Sequence, residues 1–398
     1  MNQGAVGDHR ILYLSARLPT AIRNGLDLRV RNQVLASAES FPTGIFSISG
    51  SGESISPLIE IWSSGSDPEP ARGVATQIAV KRGVRDPKGP YWMRFSEQTG
   101  REFLAAVHEF RPTIIVFERL DVVPYLELTR SVFSGPVVLD LDEVSGPHNK
   151  SFLEQTTDVQ ERFTRRIWAQ LVDRYEAQVV LKFDRIWVSS EDEASNFRKT
   201  YGESISISVV HNSIDINSYE TAPVERVEKR IVFTGNFGYL PNVNAVHFLI
   251  KEVLPLLPEH TLDIVGSHTS QSLRELNNPQ VNVIGEVKNV APFLRRGSVA
   301  VVPIFTGGGT RLKVLEAMAC GTPVVGTPFG VGGHDLTSNE NVVFAQSAQE
   351  FAAAIEKLDS DDVFRHELTV NALDHVSQKR SLSSLSALLK CEFTTISC

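Results

Sequence analysis

VAVVPIFTGGGTRLKVLEAMACGTPVVGT, residues 299–327, decides the fold. The β-branched run Val299–Ile304 reads as a buried strand, followed by Gly307, Gly308 and Gly309, then a helix, a Gly-Thr-Pro turn and a second strand at Pro323–Gly326. Strand, glycine loop, helix and strand in that order are the repeating unit of a parallel α/β sheet. Three adjacent glycines let the backbone come close to a ligand, because no Cβ stands in the way. The helix behind them opens with N–H groups that have no partner inside the helix and with the positive end of its dipole, which suits an anion. Arg311 and Lys313 add two positive charges at that end, and Glu316 lies one turn further on. This polarity predicts a phosphate with a hydroxyl-rich group beside it.

The same helix sorts its side chains by direction. At about 100° per residue, Leu312, Val314, Leu315, Met318 and Ala319 share one apolar arc, and Lys313 and Glu316 fall opposite, about 60° apart. Gly321 is placed to end the helix and Pro323 to keep it from resuming. A plain amphipathic helix with a solvated Lys–Glu pair has the same pattern. The glycines directly before it favour a ligand site.

The chain has 398 residues, enough for two domains of ordinary size. At 42% hydrophobic and 22% charged it has the composition of a globular protein. A formal net charge of −8 argues against nucleic acid as a partner held by overall charge. Its three cysteines, Cys320, Cys391 and Cys398, have neither disulfide-framework nor zinc-site spacing, which fits a reducing cytoplasm. No apolar run is long enough for a membrane span. The first residues have too short an apolar stretch, preceded by Asp8, to be expected as a signal peptide.

Outward from the opening stretch, short apolar strands alternate with helical patterns. In the first half the strands are expected at Arg10–Ser15, Gly44–Ser49, Thr113–Glu118, Pro136–Leu141, Asp184–Ser189 and Ser206–His211, and the helices at Leu26–Glu39, Phe95–Phe110, Ser151–Val180 and Glu191–Tyr201. Asn217–Arg230 is charged, aperiodic and holds a proline, so it reads as a linker. The pattern then restarts, with strands at Arg230–Thr234, Thr261–Val265, Val281–Ile284, Val299–Ile304, Pro323–Gly326 and Asn341–Phe344, and helices at Asn242–Pro255 and Ser347–Leu358. The expected fold is α/β, with two Rossmann-like domains facing across a central cleft: residues 1–222, residues 229–363, and a helical segment 364–398 that either packs back on the first domain or hangs as a tail.

Several segments resemble glycosyltransferase family 4, the group 1 glycosyltransferases of the GT-B fold: VFTGNFGYLPNVNAVHFLIKEVLPLL at 232–257, VNVIGEVKNVAPFLRRGSVAVVPI at 281–304, the GGGTRLKVLEAMACGTPVVGT stretch and VVHNSID at 209–215. In the first half ILYLSARLP, RNGLDLR and RYEAQVVLKFDRIWVSSEDEA are similar to acceptor-domain elements. The subgroup common in bacterial exopolysaccharide clusters looks nearest. The resemblance implies a retaining transfer of a sugar from a nucleotide-diphosphate sugar to a hydroxyl acceptor, glycan, lipid-linked or small, with no metal cofactor. Donor contacts in the family centre on an E-x7-E element. Glu316 matches its second glutamate, which generally bonds the ribose, whereas the first would fall on Gly308. The resemblance therefore assigns donor binding to Gly235, Asn236, Val287, Gly307, Gly308, Gly309, Thr310, Arg311, Lys313 and Glu316, with Arg311 and Lys313 on the pyrophosphate. The sugar contacts of the first glutamate must then come from elsewhere or be absent, while Arg311, Lys313 and the helix end meet the charge on the leaving diphosphate, where removing one preorganised donor costs about 3–4 kcal/mol.

In the first half, LDLDEVSG (139–146) ends a strand. Asp142 best matches the family's residue near the transferred sugar, and Asp140 reads equally as a capping residue. Glu118 ends TIIVFE, with Arg119 next, where a carboxylate can receive an acceptor hydroxyl or equally cap the loop. Gly25, with Arg23 and Arg29, resembles a loop reaching toward the phosphates, and a surface turn is the alternative. His148 and His211 are expected on loops able to face the cleft, His148 as an acceptor-side candidate, with a solvated histidine as the alternative. ERFTRRIWAQLVDRYEAQ sets Arg162, Arg165 and Arg166 beside Phe163, Ile167 and Trp168, a pattern suited to peripheral contact with an anionic membrane or to ordinary packing on the sheet. A dinucleotide-dependent oxidoreductase is disfavoured, because GSGESI at Gly50 lacks the last glycine of G-x-G-x-x-G. A non-catalytic binder on a degenerate fold is favoured only by Gly308, and a nucleotide-sugar epimerase would need carboxylates that the glycine loop does not supply.

Overall fold

Ile11–Ser15 (β1) has every residue buried, as a strand covered on both faces must. The computed structural model describes residues 9–20, 25–50, 54–64, 89–156, 158–220, 224–308 and 311–396. They divide into two units. The first holds residues 9–20, 26–211 and 385–396, and the second holds Gly25 and residues 212–384. The first sheet continues with Thr43–Ser47 (β2), Ile59–Ser63 (β3), Ile114–Glu118 (β4), Val137–Asp142 (β5), Arg185–Val188 (β6) and Ile207–Val209 (β7), in the order β3-β2-β1-β4-β5-β6-β7. The second is built from Arg230–Thr234 (β8), Thr261–Val265 (β9), Val281–Gly285 (β10), Val299–Val302 (β11), Val324–Gly326 (β12) and Val343–Phe344 (β13), in the order β10-β9-β8-β11-β12-β13. Pairing within both sheets is parallel.

The helices of eight residues or more are Gly25–Ala38 (α1), Glu97–Phe110 (α2), Ser145–Gln155 (α3), Val159–Val179 (α4), Glu191–Tyr201 (α5), Leu240–Phe248 (α6), Leu312–Ala319 (α7), Ala348–Ser360 (α8), Asp362–Lys379 (α9) and Leu382–Ile396 (α10). Strand order in each sheet runs outward both ways from its first strand, so β1/β4 and β8/β11 are the switch points. Loops there diverge to opposite faces and leave a crevice at the strand C-termini. The chain thus holds two parallel-sheet, Rossmann-like domains, the expected α/β class, with the second unit running from 212 to 384 rather than over the expected 229–363.

Some boundaries differ from expectation. The run 151–180 is two helices, because the Asp158 side chain caps a new start by accepting from Glu161 N. β3 was not expected: IEIWS is an edge strand with one half-exposed face, so it lacks a continuous apolar run. The helix expected from Asn242 begins at Leu240 and loosens into a π turn at Leu249–Val253 and a 3-10 turn at Leu254–Leu256. The expected linker begins as a packed 3-10 turn, Ile216–Tyr219, with Tyr219 buried. The last helix, α10, belongs to the first unit. Phe393 lies edge-on to Phe41, ring centroids 5.7 Å apart, and 5.6 Å from Trp187. No helix among the described residues is long and apolar enough to cross a membrane.

Candidate functional site

β8 and β11 are hydrogen-bonded neighbours, so the turns leaving their C-terminal ends lie side by side. After β8 come Gly235 and Asn236, and after β11 come Gly307 and Gly308. Gly309 and Thr310 lie outside the described residues. Gly307 has φ +127, and a Cβ there would sit 2.3 Å from the Tyr239 hydroxyl and 3.2 Å from an Arg311 guanidinium nitrogen. Only glycine fits this position. The Gly308 N–H donates to the same Tyr239 hydroxyl at 3.2 Å.

Arg311 is the N-cap of α7 in an extended conformation and supplies no side-chain cap, while its carbonyl takes the Val314 N–H of the opening turn at 3.0 Å. The Arg311 guanidinium stacks on Phe329, 4.5 Å from the ring centroid. Its carbonyl accepts from His334 Nε2 at 3.1 Å, and the His334 carbonyl accepts from His375 Nε2 at 2.8 Å. Burial, reinforced by the Arg380 charge, pushes His334 down to about 3, so this histidine is a neutral strut rather than a proton carrier.

Lys313 is half-buried. Its ammonium donates to Asn242 Oδ1 at 2.8 Å and lies 4.3 Å from the Phe233 ring centroid. A Cβ on Gly235 would lie 3.2 Å from the ammonium, which places Lys313 against the turn after β8. Desolvation, then the Arg311 charge, pushes Lys313 down to about 7, with Glu316 opposing. Glu316 accepts from the Tyr219 hydroxyl at 2.9 Å, and burial raises its carboxyl above the ordinary range. The structure thus brings Gly235, Asn236, Gly307, Gly308, Arg311, Lys313 and Glu316 into one neighbourhood. Val287 lies half-buried in the loop after β10. Sequence reasoning missed Tyr239, Asn242, Phe233, Phe329, His334 and Tyr219. Phe233, Tyr239 and Asn242 lie in the 232–257 segment that carries the resemblance, which by itself gives them no role.

The first unit holds a buried ionic cluster. Arg29 makes a bidentate pair with Asp140, both contacts at 2.8 Å, and donates to the Val210 carbonyl at 2.9 Å, while Gln33 donates to Asp140 at 3.0 Å. Arg29 is 2% exposed, so it does not reach out from a loop as the sequence reading expected, and Arg23 lies outside the described residues. Gly25 opens α1, exposed, and groups with the second unit. Asp140 is occupied by Arg29 rather than by a helix cap. Glu118, its partner in the β4–β5 register, is 2% exposed and has no hydrogen-bond donor on either carboxylate oxygen among the described residues. Desolvation, then the Asp140 charge, raises Glu118 well above the ordinary range, so burial favours its protonated form and it is not an open acceptor contact.

Asp142, at φ +62, sits 3.3 Å from Arg119 and 3.8 Å from Arg29. Arg119 also reaches Glu143 at 3.5 Å. His148 lies in α3 and not on a loop, its Nδ1 3.6 Å from Glu143. His211 follows β7, half-buried, in a loop. On α4, Phe163 is 66% exposed, Arg162 and Arg166 are exposed, and Arg165 is paired with Glu161 at 2.7 Å. No group of three or more His, Cys, Asp or Glu among the described residues is arranged to hold a metal.

Residues 228–361 match the family model described as "Glycosyl transferases group 1". A D-inositol 3-phosphate glycosyltransferase from Nocardiopsis dassonvillei is 23% identical over 51% of this chain and 54% of its own length, so the chain spans about half the length of the curated relative it matches. Among solved structures, a sucrose-phosphate synthase from Thermosynechococcus elongatus aligns over 98% of this chain and 99% of that one, at 16% identity and a TM-score of 0.72. The HepE protein of Anabaena, in complex with UDP and glucose, aligns over 97% and 100%, at 16% identity and a TM-score of 0.66. The match to the group 1 glycosyl transferase model thus lies inside the second unit, and the two parallel-sheet, Rossmann-like domains have the fold seen in GT-B glycosyltransferase structures.

Proposed function

We propose that the protein is a retaining glycosyltransferase that moves a sugar from a nucleotide-diphosphate sugar to a hydroxyl acceptor, in bacterial polysaccharide or glycoconjugate synthesis. The observation that carries this reading is the juxtaposition, at the β8/β11 switch point, of side-chain-free backbone at Gly307 and Gly308, the uncapped start of α7, and the Arg311 and Lys313 charges. Lys313 is held by an amide and an aromatic face, so its charge is left for an anion. The HepE neighbour solved with UDP and glucose supports the same ligand class here.

In the reaction the bond from the anomeric carbon to the diphosphate breaks and a bond to the acceptor oxygen forms, with the departing phosphate oxygen taking the acceptor proton. The charge left on the diphosphate is met by Arg311, Lys313 and the α7 N-terminus, a division of labour that needs no metal. Glu316 would bond the ribose hydroxyls, and Asp142 would stand near the transferred sugar with its carboxylate steadied by Arg119.

The test is a thermal-shift screen of nucleotide sugars followed by transfer assays. Arg311→Ala and Lys313→Ala are each expected to lower kcat/KM by about 100-fold or more while leaving the circular-dichroism spectrum unchanged. Normal turnover by both variants would overturn the proposal. Tight binding of a nucleotide sugar without transfer to any of a broad acceptor panel would favour the non-catalytic reading that Gly308 suggests.

A further inference from the structure

Tyr239 and Asn242 touch both glycine turns, yet neither has a part in the donor contacts above. Asn242 is buried and uses both ends of its amide: Nδ2 donates to the Asn236 carbonyl at 2.8 Å, and Oδ1 accepts from the Lys313 ammonium at 2.8 Å. Three positions earlier, at the N-cap of the same helix, Tyr239 accepts from Gly308 N–H and fills the space that a Gly307 side chain would need. An unheld lysine has a flexible four-carbon stem, and a ligand must bear the entropy of ordering it. A carboxylate partner would order the ammonium but also neutralise it. An amide oxygen orders it and leaves the charge available.

We propose that Asn242 is the positioning residue for Lys313, and that α6, through Asn242 and Tyr239, locks the turn after β8 to the glycine loop after β11 so that the diphosphate site is preformed. This rests on the reading of the hollow as a diphosphate site and adds its regulation. The charged groups facing Lys313 are Arg311 and Glu316, both carried by the α7 segment. Asn242 on α6 and Phe233 on β8, which also touch it, are neutral. With the ammonium titrating at about 7, diphosphate affinity falls as pH rises through that value, by up to about tenfold per pH unit, because the ligand selects the charged form.

The test is calorimetric titration of the full chain with UDP, GDP and ADP between about pH 6 and pH 9, on wild type, Asn242→Ala and Asn242→Asp, with transfer kinetics in parallel. Asn242→Ala is expected to weaken binding about tenfold and to raise KM more than it lowers kcat. Asn242→Asp pairs the ammonium with a carboxylate. Binding is then weaker at about pH 6, and its decline moves up by about one pH unit or more. The aspartate variant keeps the side-chain shape, so it serves if the alanine variant folds poorly. A pH midpoint unmoved in Asn242→Asp, whether or not affinity drops, overturns the proposal and leaves Asn242 a structural residue. Failure of wild type to bind any of the three nucleotides overturns the diphosphate reading itself, and the role of Asn242 with it.

Discussion

Glu316 does not stand free on its helix: the Tyr219 hydroxyl, 97 positions earlier, donates to it at 2.9 Å. Removing that donor leaves a half-buried carboxyl with one partner fewer. Tyr219→Phe is expected to cost about 1–3 kcal/mol, read as a lower Tm, and to raise the donor KM more than it lowers kcat, since the carboxylate loses its orientation. An unchanged melt and an unchanged KM would show that the bond is idle. At this scale the residue types were legible. Charges beside glycines before a helix announce an anion site because glycine geometry and the helix dipole are local properties. The partners were not legible. Nothing near Lys313 in the chain indicates Asn242, and nothing near Arg311 indicates His334, because a sheet crossover separates each pair.

β4 and β5 pair so that Glu118 lies opposite Asp140, and of these two carboxyls Arg29 bonds Asp140. Two buried carboxyls share one close cation, which favours the protonated form of Glu118. Its folded-state pKa is raised above the ordinary 4.5. The stability carried by that proton is therefore fully present below about pH 4.5 and is lost as pH rises through the folded value. Glu118→Gln keeps the shape and removes the titration. Denaturant melts at about pH 5 and pH 8 should then show a stability loss smaller than wild type by about 1 kcal/mol or more. Equal losses would mean that Glu118 is ionised throughout. Strand centres such as Ile11–Ser15 and Ile114–Glu118 could be read from sequence because burial on both faces makes them continuously apolar. The edge strand β3 and the break between α3 and α4 could not, since one depends on which strand has no outer neighbour and the other on a single capping aspartate.

At the level of the whole molecule, the chain returns to the first unit to end. Phe393 is fully buried against Phe41 and Trp187, and Glu392 accepts from the Trp187 indole at 3.3 Å. Phe393→Ala is expected to destabilise the first unit by about 3–5 kcal/mol. Hydrogen exchange should quicken in β2, β6 and α10, while β8 and β11 keep their protection. Uniformly faster exchange across both units would show that they unfold as one, and unchanged exchange would show that α10 adds no stability.

The sequence alone determined the parallel α/β class, two successive Rossmann-like series, and a glycine loop bearing Arg311 and Lys313, because hydrophobic period, turn chemistry and helix polarity are written over a few neighbouring residues. Tertiary structure alone decided that Arg29 is walled in by Asp140, that α10 completes the first unit, and that Lys313 rests on an amide and a ring. Each of those outcomes depends on side chains brought together across 71 or more positions by the order of strands in a sheet, which no local pattern encodes.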